Sequence, residues 1–229
     1  MAIQAWPPSV SKIIWIDNDL LVPESPKWGE AISAALDKWP IIQPWSTARF
    51  LDSNGQPTTG PLGFDTVASV PYTHATVDVP PCDRGLPAEA WPGFAWAARR
   101  DVLEEIGGLY EHDLSGPNDV LMSLALYGDF ENSYLMRYSG AFRDHWFKWA
   151  TAAYGAVQGN VGWIEAELTH LWHGPFVQRR YLERTVRLYE AGYDPAQHTA
   201  TGASGFLELT DDCPATVRKL AATVVGINL

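Results

Sequence analysis

Two acidic side chains, Asp17 and Asp19, directly follow an apolar run at residues 13–16. The β-branched and aromatic residues of that run predict a strand buried on both faces, as in parallel or mixed sheets. Because burying a bare carboxylate is costly, the acids fit the C-terminal end of the strand, where open α/β sheets bind ligands. In the turn that ends the strand, both carboxylates can converge on Mg²⁺ or Mn²⁺. Asp-Asn-Asp is equally typical of a simple turn, and the motif alone leaves both interpretations open.

A third acid and two histidines are further candidates for chemistry. Asp119 opens a predicted helix, where unpaired amides and the helix dipole stabilise a carboxylate, so a structural role stands beside a role as general base. His170 and His173 lie at the end of a predicted strand. Side chains three residues apart on a strand point to opposite faces, so both imidazoles can bind one ion only if the strand has already ended. Each can equally be a structural or surface imidazole.

Three aromatic residues and two arginines complete the candidates. Trp91, Phe94 and Trp96 can stack on sugar rings or pack in the core, and strict alternation predicts that Phe94 and Trp96 share a face. Arg179 and Arg180 can contact a diphosphate or belong to the solvated face of a predicted helix.

Composition limits the class of protein. The chain has 229 residues, enough for one large domain or two small ones, and 46% of them are hydrophobic, which argues against disorder. A net charge of -11 argues against the basic surface that nucleic-acid binding requires. The cysteines, Cys82 and Cys213, imply no disulfide framework. With no signal peptide and no long apolar span, we expect a cytoplasmic protein without a transmembrane segment.

The elements that must position these residues follow from hydrophobic periodicity. Ser25 and Pro26 predict the start of a helix that runs to Trp39, and residues 41–45 predict the next strand, giving a strand-helix-strand unit. Residues 51–92 are predicted to be irregular, with one short strand at 76–79, and to form either a flexible lid or acceptor loop or a tolerated insertion. Further strands are predicted at 93–98, 161–171 and 206–209, and further helices at 99–106, 118–127, 142–154, 177–191 and 214–225.

Four segments occur in an order that resembles a known family. They are residues 15–19 (Trp-Ile-Asp-Asn-Asp), 92–110 (ending in Gly-Gly-Leu-Tyr), 116–119 (Gly-Pro-Asn-Asp) and 170–174 (His-Leu-Trp-His-Gly). Together they resemble the second half of a GT-A glycosyltransferase of the family 2 or galactosyltransferase-like kind, over roughly residues 13–191. The resemblance implies a partial GT-A fold, which is a mixed α/β sheet flanked by helices. It also implies transfer of a sugar from a nucleotide-diphosphate donor to a hydroxyl of a glycan or another acceptor.

The resemblance also implies roles for individual residues. Asp119 matches the catalytic base, and a single base implies inversion at the anomeric carbon. The implied ligands of Mn²⁺ or Mg²⁺ are Asp17, Asp19 and His173, with His170 as the alternative histidine. Donor binding is implied for Asp17, Asp19, Gly93, Phe94 and Trp96.

Two departures from the family pattern affect these expectations. The family has Glu-Asp where this chain has Asn118-Asp119, so the acid at the base position remains while its neighbour is an amide. Twelve residues precede Ile13, whereas the family places a nucleotide-binding half there. We therefore expect a single incomplete domain over 1–229, with a core at 12–192 and an extension at 193–229. Activity is expected to need the missing half, and a partner or upstream segment is expected to cover the exposed sheet edge.

Two other functions remain open at this point. A non-catalytic remnant of a glycosyltransferase, acting as a binding or interaction module, would explain the missing half but not the presence of all the site residues. A metal-dependent hydrolase could use the same acids, but the sequence has no His-Glu-x-x-His pattern to support it.

Overall fold

A computed structural model describes residues 6–23, 26–61, 63–80 and 83–225, which form a mixed α/β architecture. The strands are β1 (Lys12–Ile16), β2 (Leu20–Leu21), β3 (Ile41–Gln43), β4 (Thr47–Leu51), β5 (Pro57–Thr58), β6 (Thr66–Ser69), β7 (Ala90–Trp91), β8 (Ala95–Arg99), β9 (Val161–Trp163), β10 (Glu167–His170), β11 (Thr199–Thr201) and β12 (Leu207–Leu209). The helices are α1 (Pro26–Leu36), α2 (Val70–Thr76), α3 (Arg100–Glu105), α4 (Asn118–Tyr127), α5 (Gly140–Val157), α6 (Tyr181–Glu190), α7 (Pro195–His198) and α8 (Ala215–Val225). The predicted α/β class is confirmed.

The first sheet has the strand order β1-β8-β3-β9 and lies between two layers of helices. Along β8, Trp96 belongs to the same buried cluster as residues of α4 and α5, whereas Ala97 packs with Ile32 and Leu36 of α1 on the opposite face. Strands β1 and β3 both run antiparallel to β8, so they are parallel to each other with β8 between them. The predicted strand-helix-strand order is thereby confirmed.

Strand β1 is less buried than its sequence predicts. Only Ile13 is buried, and the side chain of Ile16 is 40% exposed. The prediction of a strand covered on both faces is wrong because β1 is the outermost strand of the described sheet and α1 packs chiefly against β3 and β8. Within the described residues β1 pairs with β8 alone, so the expected open sheet edge lies here.

The second sheet is ordered β2-β10-β4-β6-β7 with β5 beside β4, and three of its six strands come from the segment predicted to be irregular. Residues 51–92 contain β5, β6, β7 and α2, and the predicted strand at 76–79 is wrong. The signal for a helix was local: the hydroxyl of Ser69 accepts from the amide of Tyr72 and caps α2, and Pro71 lies in its first turn.

Two other predicted elements differ from the structure. The single strand at 161–171 is two strands, β9 in the first sheet and β10 in the second. The helix predicted at 177–191 is a 3-10 turn over Phe176–Arg179 followed by α6, and Arg180 between them has φ of 50°.

Ser25 and Cys82 lie outside the described residues, while Cys213 is a buried free thiol. None of the described helices combines the length and apolar composition needed to cross a bilayer.

Candidate functional site

The turn through Asp17 and Asp19 carries the chain from β1 in the first sheet to β2 in the second. Asp17 is fixed by two bonds to Phe94: its amide donates to the Phe94 carbonyl at 2.9 Å, and its Oδ2 accepts from the Phe94 amide at 3.2 Å. Burial raises the pKa of the Asp17 carboxyl above 3.8, and the charge of Asp19 raises it further.

The backbone that donates to Asp17 is strained. Phe94 has φ of +80°, a conformation that is rare for a residue with a bulky side chain. Its ring is 4% exposed and packs against Trp45, Phe50 and Trp91, with the imidazole of His170 5.2 Å away between ring centroids. Packing on this scale holds the strained peptide in place, and strain of this kind clusters at functional sites.

Asp19 and the two histidines meet because β10 ends at His170. The pairing of β2 with β10 puts Leu20 opposite His170, and the amide of Leu171 donates to the carbonyl of Asp19 at 2.8 Å. The Oδ2 atom of Asp19 lies 2.8 Å from the Nε2 of His173 and 3.6 Å from the Nε2 of His170. The condition set by the sequence, that the strand must have ended before His173, is met.

The donor atoms fit a divalent cation. Asp19, His170 and His173 each offer one ligand atom, and these atoms all lie within 4.8 Å of one another. The other carboxylate oxygen of Asp19, Oδ1, is buried with no hydrogen-bond partner among the described residues. Burial lowers the pKa of His170 to about 4, so its imidazole is neutral and has a lone pair to donate. Two imidazoles and one carboxylate suit Mn²⁺ better than Mg²⁺.

Asp119 is the second residue of α4, and the amide of Val120 donates to its Oδ1 at 2.9 Å. Burial, together with the charge of Asp17, raises the pKa of this carboxyl to about 6. Its Oδ2 faces Gly93 so closely that a Cβ added to Gly93 would lie 2.7 Å away. Glycine at position 93 is therefore what leaves room for the carboxylate beside the strand.

All of the predicted site residues line one cleft of about 1780 Å³. The lining residues from the prediction are Asp17, Asp19, Gly93, Phe94, Trp96, Asp119, His170 and His173. Pockets for a single small ligand typically measure 300–1,000 Å³, so this cleft has room for two substrates.

The aromatic residues of the cleft differ in accessibility. The rings of Phe94 and Trp96 are 4% and 2% exposed and belong to different buried clusters, so the prediction that they share a face is wrong. Alternation fails because β8 begins only at Ala95, so Phe94, with its positive φ, is not part of the extended strand. Trp91 is half-buried, and its indole Nε1 would lie 3.0 Å from a Cβ at Gly93. Trp91 is therefore the aromatic residue best placed to touch a ligand near Asp119.

The sequence did not predict the contact between Arg179 and His173 of the site. Its Nη2 contacts the Nε2 of His173, and its positive charge lowers the pKa of Asp17 in part. The prediction of one continuous helix assigned Arg179 to a helix face, whereas the left-handed conformation of Arg180 separates the 3-10 turn from α6. A positive φ at an arginine leaves no pattern in the sequence, so the break between the 3-10 turn and α6 could not be predicted.

Comparisons of the chain with protein-family models, with curated proteins and with solved structures found no match. The functional argument therefore depends on the geometry of the cleft.

Proposed function

We propose that this chain is a metal-dependent, inverting glycosyltransferase with a partial GT-A fold, a hexosyltransferase-like enzyme that uses a nucleotide-diphosphate sugar. One observation carries the proposal: the ligand group of Asp19, His170 and His173 and the carboxylate of Asp119 line the same cleft. Transfer of a sugar needs positive charge for a diphosphate leaving group and a base for an acceptor hydroxyl. The cleft has residues suited to both needs.

The cation would be held by Asp19, His170 and His173, and when bound it supplies positive charge that stabilises the leaving diphosphate. Asp17 lies beside this group with its carboxylate already held by the Phe94 amide, so its part is to add negative charge and to anchor the turn. Arg179, in contact with His173, adds a second positive group at the same end of the cleft.

Asp119 is the base in this proposal. A carboxyl whose pKa is raised to about 6 is ionised at neutral pH and is a stronger base than an ordinary aspartate. It takes the proton of the acceptor hydroxyl while the anomeric carbon forms a bond to the acceptor oxygen and its bond to the leaving diphosphate breaks. A direct displacement of this kind inverts the anomeric carbon, since no second carboxylate is needed as a nucleophile.

A second candidate function is that of a non-catalytic binding module. The observation that favours it is the open edge of β1, which pairs with β8 alone within the described residues. The resemblance implies nucleotide-binding strands that precede β1 in the family's sequence. A module that lacks them would keep the cleft without turning over a donor.

Calorimetry with Mn²⁺ and a panel of nucleoside diphosphates separates the two candidates. We expect diphosphate binding that requires Mn²⁺ and is lost in Asp19→Asn, followed by inverting transfer from one nucleotide sugar of the panel. Asp144→Asn removes an exposed carboxylate on α5 outside the cleft and serves as the matched control. Absence of metal-dependent diphosphate binding in the folded wild-type chain would refute the transferase proposal.

A further inference from the structure

A groove of about 710 Å³ between α6 and α8 has a charge opposite to that of the whole chain. The chain has a net charge of -11 and only 16 lysines and arginines. Five of these line the groove: Arg179, Arg180, Arg184, Arg187 and Lys219. The acids in its described lining are Glu183 and Glu190, so the lining carries more positive than negative charge. Such a concentration of positive charge on an acidic protein marks a site for an anion.

Helix geometry places these charges on two facing surfaces. On α6, Arg187 lies four residues after Glu183 and three after Arg184, so it neighbours both on the helix surface. On α8, Thr216, Lys219 and Thr223 have the same spacing, and they supply an ammonium and two hydroxyls to the opposite wall. The Thr223 hydroxyl already donates to the carbonyl of Lys219 at 2.8 Å, so the α8 wall offers the Lys219 ammonium and the Thr216 hydroxyl. A groove with guanidinium groups on one side and these groups on the other suits an oxygen-rich anion.

The acids of the groove do not neutralise it. Glu183 is shared between Arg187, at 2.5 Å, and Arg180, at 3.7 Å, and both arginine side chains are more than 60% exposed. Ion pairs this exposed are weak and exchange readily for another anion. The Nε of Arg184 is buried with no hydrogen-bond partner among the described residues, and its guanidinium lies over the ring of Tyr181. With five basic and two acidic side chains in its described lining, the groove has more charged donors than acceptors.

The groove is continuous with the cleft. Arg179, Arg180 and Glu183 line both. A helix rises roughly 10 Å over the length from Arg180 to Arg187, so the groove extends about that far along α6 from the cleft. A molecule with one end at Asp119 can thus extend its other end between α6 and α8.

We propose that this groove binds a phosphate group carried by the acceptor. That the phosphorylated molecule is an acceptor rests on the proposed function, whereas the phosphate site itself does not. Guanidinium groups bind phosphate oxygens in bidentate fashion, and a flanking ammonium adds charge without fixed geometry. The acceptor is then a phosphorylated compound whose free hydroxyl reaches Asp119. This differs from the donor diphosphate, which belongs at the Asp19 end of the cleft.

Calorimetric titration with glucose 6-phosphate in chelator-treated, low-salt buffer tests the groove directly, with glucose as the uncharged control. We expect glucose 6-phosphate to bind and glucose not to bind. Lys219→Gln and Arg187→Gln should each weaken binding about fivefold, since removing one surface charge near 4 Å is worth about that factor. Lys148→Gln makes the same change of charge at an exposed position on α5 and should leave the affinity unchanged.

A gain of affinity excludes damage to the fold as the cause. Glu190→Gln removes a negative charge from the groove lining and should tighten glucose 6-phosphate binding about threefold. Equal weakening in Lys148→Gln, or no binding at all, overturns the proposal. Binding to phosphatidic acid vesicles without binding of glucose 6-phosphate would also overturn it, because the groove would then recognise a membrane surface.

The outcome is separable from that of the proposed function. Asp19→Asn should abolish Mn²⁺-dependent diphosphate binding yet leave glucose 6-phosphate binding intact, because Asp19 does not line the groove. If wild type binds glucose 6-phosphate but no nucleoside diphosphate with Mn²⁺, the transferase proposal fails and the phosphate site stands.

Discussion

The Nε2 of His173 lies 2.8 Å from the Oδ2 of Asp19, and this short distance is set by backbone pairing rather than by the side chains alone. The antiparallel pairing of β2 with β10 puts Leu20 opposite His170, and the amide of Leu171 then bonds the carbonyl of Asp19. The ligand group is therefore formed when the two strands pair. A site on rigid strands keeps its geometry before the ion arrives.

The ligand group predicts different effects at the two aspartates. We expect Asp19→Asn to weaken Mn²⁺ binding at least a hundredfold, because it removes a direct ligand whose Oδ1 has no other partner among the described residues. Asp17→Asn should weaken it about tenfold, since Asp17 acts from beside the ligand group. Calorimetry with Mn²⁺ measures both, with Asp144→Asn as the control. Equal losses at positions 17 and 19 would show that Asp17 is a ligand too.

Much of the site could be predicted from the sequence because its residues lie at the ends of predicted strands or at the start of a predicted helix. Asp17 and Asp19 follow an apolar strand, Asp119 opens a helix and His173 follows another strand, and all line the cleft. The choice of a single histidine was not settled by the sequence, because whether His170 and His173 meet depends on the residue at which β10 ends. The role of Arg179 was hidden for a similar reason, since it depends on the positive φ of Arg180.

The fold was predictable where a pattern is local. Gly128 in the left-handed conformation ends α4, and Ser139 caps α5, as turn and cap chemistry require. The second sheet was not predicted because strands such as Pro57–Thr58 and Ala90–Trp91 are two residues long and owe their conformation to partners distant in the chain. Strand burial was wrong at β1 because position at a sheet edge is a tertiary property.

Asp119→Asn tests the base. We expect transfer to fall by about 10²- to 10⁴-fold while the affinity for the nucleoside diphosphate is unchanged. In wild type, kcat/KM should rise with pH through about 6, because the base acts only when ionised and its pKa lies there. Steady-state kinetics from pH 5 to 8, together with calorimetry of the diphosphate, make the test. Parallel loss of transfer and diphosphate binding would contradict the assignment.

The same substitution should stabilise the fold at pH 7.5. The folded-state pKa of Asp119 is raised above the unfolded value, so the stability linked to its protonation is present below pH 3.8 and is lost as pH rises through about 6. An amide of the same shape removes that cost, and we expect the free energy of unfolding to rise by about 1–3 kcal/mol in urea denaturation. A stability gain at pH 7.5 that shrinks at pH 4.5 is the expected signature; a uniform change would argue against a raised pKa.

Gly93→Ala tests the close approach of Gly93 to the base. The new Cβ would lie 2.7 Å from the Oδ2 of Asp119, so the carboxylate must move. We expect kcat to fall at least tenfold, because misplacing a base by about 1 Å is costly to catalysis. Gly29→Ala, in α1 with no atom within 4 Å of the added Cβ, is the matched control and should stabilise the fold by about 0.5–1 kcal/mol. Unchanged kcat in Gly93→Ala would remove Asp119 from the proposed chemistry.

Part of the acid sensitivity, beside that from His170, should come from a histidine outside the cleft. Burial, assisted by His145, lowers the pKa of His112 to about 4, and its Nδ1 lies 2.9 Å from the Thr199 hydroxyl. The unfolded chain takes up this proton near pH 6.5 and the folded chain only near pH 4, so stability is full above pH 6.5 and falls as pH drops. Between pH 7.5 and 5.5 this histidine should cost about 1 kcal/mol of unfolding free energy. His112→Asn should reduce the dependence measured by urea denaturation in metal-free buffer; an unchanged slope would show that His112 titrates normally.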